Sequence, residues 1–108
     1  MAQTNLLQGT LDLLILKSLA LGEMHGLGIS RRIEQITRGT FDVKPGSLFP
    51  ALHRMEEAGW ITAEWTITEN KRRARIYRIS RAGVKQLAAE RDSWNSFSAG
   101  VARVLRYA

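Results

Sequence analysis

Residues 60–81 read WITAEWTITENKRRARIYRISR, and the period of that stretch decides how the rest of the chain is understood. Trp60, Thr62, Glu64 and Thr66 alternate with Ile61, Ala63, Trp65 and Ile67, the two-residue period of a strand. Residues 68–73 are a polar turn. Residues 74–79 alternate again, Arg75, Tyr77 and Ile79 opposing Ile76 and Arg78. The stretch is therefore a β-hairpin whose tip carries Lys71, Arg72 and Arg73, with Arg75 close behind. It concentrates the charge of a chain with 16 Lys+Arg and 10 Asp+Glu, a net charge of +6. A solvated basic turn and a nucleic-acid contact both fit such a cluster, so the flanking elements must decide.

Upstream, residues 48–58 carry Leu48, Ala51, Leu52 and Met55 on one stripe at helical spacing, with Ser47, Pro50, His53 and Arg54 opposite. With Ser47 as N-cap, Pro50 falls at the third helical position, where no intrahelical hydrogen bond is lost. Lys44, Pro45 and Gly46 form the turn before it, and Gly59 ends the helix. An earlier helix places Ile29, Ile33 and Ile36 at i, i+4 and i+7 and closes at Gly39. A linker over residues 24–28 precedes it, in which the His25 ring is expected to satisfy first-turn backbone. Residues 10–21 are too long and leucine-rich for a strand, and their apolar side chains surround nearly the whole helical circumference. Such a helix calls for burial on two sides, one by the core and one by a second subunit. Downstream, Ser80 is a plausible N-cap for a last helix over about 81–107. On it Val84, Leu87, Trp94, Val101 and Leu105 approximate a heptad seam, with Phe97 and Val104 on its flank and Arg91 and Ser98 breaking it.

Three helices, a hairpin and a fourth long helix define the expected fold: mostly α with a small β-hairpin, a winged helix-turn-helix over residues 1–80 with a dimerisation helix over 81–108, in one compact unit. A helix about 10–12 Å across fits a DNA major groove, while a basic hairpin lies along phosphates or reaches the minor groove. The expected function is sequence-specific binding of double-stranded DNA. Lys44, Ser47, Phe49, Pro50, His53 and Arg54 around the third helix, and Lys71, Arg72, Arg73 and Arg75 on the wing, are the candidate contacts. The competing reading is a protein-interaction module that sets its basic wing on an acidic partner. A steep inverse dependence of operator binding on salt separates the two.

The same residues resemble the PadR family of transcriptional regulators from end to end. The resemblance rests on GTLDLLIL at 9–16, His25-Gly26, GSLFPALHRMEEAGWI at 46–61 and RIYRISRAG at 75–83; the tail is similar to members with a single dimerisation helix. It implies a cytoplasmic homodimeric repressor whose third helices enter successive major grooves of a palindromic operator. It also implies a small aromatic effector held between tryptophans of the dimerisation helices, which makes Trp94 and Phe97 candidate effector residues; closure of the dimer core is their other reading. One departure stands out. The family usually has tyrosine where this chain has Phe49, so the hydroxyl expected on a phosphate is missing.

Other function classes find little support. The chain has no cysteine, which excludes disulfides, a thiolate zinc site and a cysteine nucleophile. Its longest apolar run is far short of a membrane span, and its start lacks the basic region of a signal peptide, so the expectation is a cytoplasmic protein that does not engage membranes. The two histidines, His25 and His53, lie on different elements without a carboxylate constellation, and neither a phosphate-cradling glycine loop nor a nucleophile elbow occurs. Neither an enzyme nor a cofactor is expected.

Overall fold

The computed structural model describes residues 8–108; the first residues of the chain, on which the signal-peptide expectation rests, lie outside them. In chain order the elements are α1 (Gln8–Ala20), β1 (Met24–His25), α2 (Gly26–Ile36), α3 (Pro45–Glu57), β2 (Ile61–Ile67), β3 (Arg73–Ile79) and α4 (Arg81–Arg106). Ile15 and Leu16 of α1, Ile29 and Ile33 of α2, Leu48, Leu52 and Met55 of α3, and Ile61, Tyr77 and Leu87 meet in one buried cluster. The fold is the expected mostly α winged helix with a long last helix.

Several local expectations are corrected. The sheet has three antiparallel strands in the order β1-β3-β2, with Met24 opposite Tyr77 and His25 opposite Ile76. Residues 24–28 are thus not a plain linker, because the free edge of β3 takes up the backbone of Met24 and His25. The His25 side chain does not cap α2, and its Nε2 is buried without a hydrogen-bond partner. Ile36, expected on the apolar stripe of α2, is exposed because the core ends a turn earlier. In α3 the helix starts at Pro45, with Lys44 in the extended N-cap position. Ser47 is therefore inside the first turn rather than at the cap. Proline at the first helical position has a preset φ and no N–H to strand, which moves the start upstream and leaves Pro50 inside the helix.

The α3–β2 turn closes through Gly59, at φ 81°. Gly59 donates to the Glu56 carbonyl and Trp60 to the Met55 carbonyl, both at 3.0 Å, the bond pair of a Schellman ending that asks for glycine. At the wing–α4 junction the Ser80 hydroxyl accepts from Gly83 N–H at 3.1 Å and donates to the Gly59 carbonyl at 2.6 Å, so the expected cap on α4 is present. Gly83 lies against the Trp60 carbonyl, and a Cβ built there would fall 2.0 Å from that oxygen.

The seam expected along α4 divides in two. Leu87 belongs to the buried cluster because the first turns of the helix pack on the domain itself, while Val84 on the same turns faces out. Trp94, Phe97, Val101, Val104 and Leu105 are all exposed, leaving the outer half of α4 with an open apolar face. On α1, Leu11, Ile15, Leu16 and Leu19 are buried, whereas Leu13 and Leu14 are only partly covered. Within one chain α1 is covered on one side.

Candidate nucleic-acid interface

The outward face of α3 follows from its inward one. Leu48, Ala51, Leu52 and Met55 are buried, so Ser47, Pro50 and His53 point to solvent. This face is small and nearly uncharged; His53 Nε2 lies 3.5 Å from Glu57 Oε1 in an exposed pair. Phe49 is half exposed and its ring rests on α2 at Gly26, where a Cβ would sit 2.7 Å from ring atom Cε1. The ring thus covers the α2–α3 seam and shows its outer edge. Lys44 is exposed and pairs with Asp42 at 2.6 Å; that hydrogen bond raises its pKa above the ordinary lysine value.

Arg54 is not on this face. Its Nη1 and Nη2 donate to the two carboxylate oxygens of Asp12 at 2.9 and 2.8 Å, tying α3 to α1. The Asp12 side chain is only 4% exposed, and hydrogen bonding to it raises the Arg54 pKa against the opposing effect of burial. Helical spacing sets Arg54 opposite the apolar stripe and makes it a candidate DNA contact. The carboxylate of Asp12, buried on α1, takes the guanidinium instead.

On the wing, the turn is closed by Thr68 N–H to the Arg72 carbonyl and Lys71 N–H to the Thr68 carbonyl, both at 2.8 Å, with Lys71 in the left-handed region at φ 60°. Lys71 and Arg72 are exposed and form no salt bridge among the described residues. Arg73 begins β3, and its guanidinium lies over the Trp65 ring at 4.5 Å. Arg75 is further back and engaged: it donates to Glu56 of α3 at 2.7 Å, a hydrogen bond that raises its pKa. It is a strut between wing and α3 rather than a free tip charge. Arg78 is likewise held, by Glu23 and Glu64.

Two further residues, not among the candidate contacts, belong to this surface. Trp65 and Ile67 share a sheet face with buried Ile61, yet they are 59% and 73% exposed, because the hairpin outruns the core. The register carries the signal: Trp65 is opposite Arg75 and Ile67 opposite Arg73, and arginines are not partners that a core supplies.

Trp94 and Phe97, the candidate effector residues, stand together with ring centroids 6.0 Å apart. They line a cavity of about 190 Å³ with Gly9, Thr10, Leu13, Glu90 and Ser93, between α1 and α4. Among the described residues no cluster of side chains suits a metal ion, and no helix is long and apolar enough to cross a membrane.

A hairpin wing in a three-stranded sheet, set on a three-helix core and followed by one long helix, defines a winged-helix protein. Residues 15–89 match the transcriptional regulator PadR-like family. The transcriptional regulator Rv3488 of Mycobacterium tuberculosis is 34% identical over 77 residues, 71% of this chain and 68% of the relative. A transcriptional regulator of Clostridium thermocellum superposes with a TM-score of 0.81 at 28% identity, over 89% of this chain and 93% of that one. Bacillus subtilis PadR, solved in complex with operator DNA, superposes with a TM-score of 0.66 at 25% identity, over 73% of this chain and 45% of its own. The chain belongs to the PadR-like family and is a DNA-binding transcriptional regulator.

Proposed function

We propose that this regulator is a repressor that binds a palindromic operator as a homodimer, the outward face of α3 in the major groove and the wing on the neighbouring backbone and minor groove. The observation that carries the reading is the pairing pattern of the wing. Arg75 and Arg78 are held by carboxylates, while Lys71 and Arg72 at the tip have no such partner among the described residues and are open to phosphate. The B. subtilis relative was solved in complex with operator DNA, which supports operator binding by this chain. Base choice then falls to Ser47, Pro50, His53 and the edge of Phe49, and phosphate affinity to the wing. Dimerisation covers the apolar outer half of α4, and two-fold symmetry sets half-sites about 10 bp apart or a multiple of that.

The test is selection from a random duplex library followed by titration of the selected duplex against salt. A recovered inverted repeat and a steep slope are expected. Replacing both Lys71 and Arg72 with alanine should weaken binding to all duplexes alike and reduce the slope by roughly four units for the dimer, about two from each wing. Failure to retain any duplex, with binding to an acidic protein instead, would overturn the reading.

The cavity beside Trp94 and Phe97 favours a second element, release by a small aromatic effector. At about 190 Å³ it is small for a drug-sized ligand, and a partner subunit's α4 would enlarge it. Titration of planar aromatic compounds against Trp94→Ala and the parent, followed by both fluorescence and operator affinity, tests it. Ligand binding that leaves operator affinity unchanged would dismiss the effector, since a ligand with equal affinity for both arrangements shifts nothing.

A further inference from the structure

The two faces of the hairpin differ in a way that bears on how the wing reads DNA. On one face the cross-strand pairs run from base to tip as Ile61/Ile79, Ala63/Tyr77, Trp65/Arg75 and Ile67/Arg73. The base of that row is core, with Ile61 and Tyr77 buried. Its tip projects past the core, so a large indole, an isoleucine and an arginine are left exposed together. Because Arg75 on this face bonds Glu56 of α3, the overhang belongs to the side of the wing that adjoins α3. Arg73 is thereby set apart from Lys71 and Arg72. Those two stand on the turn itself, whereas Arg73 has its guanidinium stacked 4.5 Å above the Trp65 ring, and Arg75 flanks the same ring at 5.7 Å.

We infer that Trp65 and Arg73 form a minor-groove reading element, in which the indole presents the stacked guanidinium edge-on to the groove next to the half-site held by α3. The inference rests on the proposed docking and adds a sequence preference to it. A contact to the outer phosphates needs only charge, which Lys71 and Arg72 supply. The overhang offers in addition a flat, weakly hydrated cation between apolar neighbours, which suits a groove walled by deoxyribose. A·T-rich steps narrow the minor groove and deepen its negative potential, and an inserted arginine reads that width without a base-specific hydrogen bond. The stack holds Arg73 in place before binding, so less side-chain freedom is lost on the DNA. The wing then favours A·T base pairs outside the major-groove half-site.

The experiment selects duplexes from one random library with the full chain and, in parallel, with Trp65→Leu, Trp65→Phe and Arg73→Gln. The parent should enrich A·T pairs beside each half-site and lose about two- to five-fold in affinity when that flank is changed to G·C, the scale of one exposed cation–π contact. Trp65→Leu and Arg73→Gln should bind both flanks equally while selecting the same half-sites, and Trp65→Phe should keep most of the preference. Since Trp65→Leu removes no charge, its salt slope should match the parent's. Arg73 is exposed at a strand end, so Arg73→Gln decides the matter even if the leucine variant folds poorly. A flank preference unchanged in Trp65→Leu or Arg73→Gln, or absent from the parent, overturns this element and leaves operator binding intact. A parent that retains no duplex overturns the docking itself.

Discussion

Removing either partner of the Asp12–Arg54 pair should destabilise the protein, but by unequal amounts. Both Asp12 oxygens accept from Arg54, and the carboxylate is 4% exposed where the guanidinium is 35% exposed. Arg54→Ala strands a buried carboxylate. Breaking a buried pair costs about 3–5 kcal/mol, and water at the arginine end lowers the expectation to roughly 2–3 kcal/mol. Asp12→Ala strands a guanidinium that can turn to solvent, for about 1–2 kcal/mol. The double alanine variant should cost less than the two singles added together, with a coupling of about 1–2 kcal/mol. Asp12→Leu with Arg54→Met, which fills the site with apolar atoms, should fall within about 1 kcal/mol of the parent. Urea denaturation at one fixed protein concentration, followed by tryptophan fluorescence, measures all four. Because the guanidinium is bound to α1, Arg54→Ala should leave the ranking of operator variants as in the parent once binding is corrected for the folded fraction. A cost below about 0.5 kcal/mol, additive singles, or a changed base preference would refute the argument and return Arg54 to the DNA face.

Gly83→Ala tests the wing–α4 junction: helix propensity alone would stabilise it by about 1 kcal/mol, but a methyl 2.0 Å from the Trp60 carbonyl forces the junction apart, so the expected outcome is a net loss of about 2 kcal/mol and a Tm lower by roughly 10 °C in calorimetry. Burial pushes the Tyr77 phenol above its ordinary pKa of 10.0; the unfolded chain therefore ionises first, and the contribution is present below that pH and is lost as pH rises through the folded value. Stability of the parent relative to Tyr77→Phe should accordingly be flat at neutral pH and fall in the alkaline range, and a flat difference throughout would contradict the assignment. Val104 and Leu105 are 74% and 79% exposed, so replacing both with glutamate should leave the fold intact by circular dichroism and yield monomers in sedimentation; a dimer that survives would place the interface elsewhere.

The hairpin and the order of helices could be read from the chain because each rests on a local period: alternation on both sides of a polar turn, and apolar stripes at helical spacing. Ser80 as the cap of α4 was legible for the same reason, its bond to Gly83 N–H lying three residues away. Most of the departures are non-local, the start of α3 being the exception. Nothing adjacent to Met24 and His25 reveals the free edge of β3, some fifty residues on. Ser47 looks like an N-cap until Pro45, preset for the first helical position, moves the start upstream. The fate of Arg54 depended on Asp12, 42 residues away and hidden among leucines, where a single acidic residue reads as an interruption of an apolar run. Trp65 and Ile67 were placed on the correct face of the strand, but alternation does not say where the core beneath that face ends.

In the proposed dimer, the division of α4 would offer a means of signalling. Its first turns are part of the domain core through Leu87 and are locked to the wing by Ser80, Gly83 and the Trp60 carbonyl, while its outer half carries the face offered to the partner. A shift in how two outer halves cross in that dimer would be passed to the wing and α3 through the junction at Trp60 and Ser80. The cavity at Trp94 and Phe97 lies where α1 meets the start of that outer half. Under the proposed function, a molecule bound there would bias how α4 meets its partner and so the spacing of the two recognition helices. Operator release then requires no unfolding and no contact between ligand and DNA, only a preference of the ligand for the spacing that DNA does not fit.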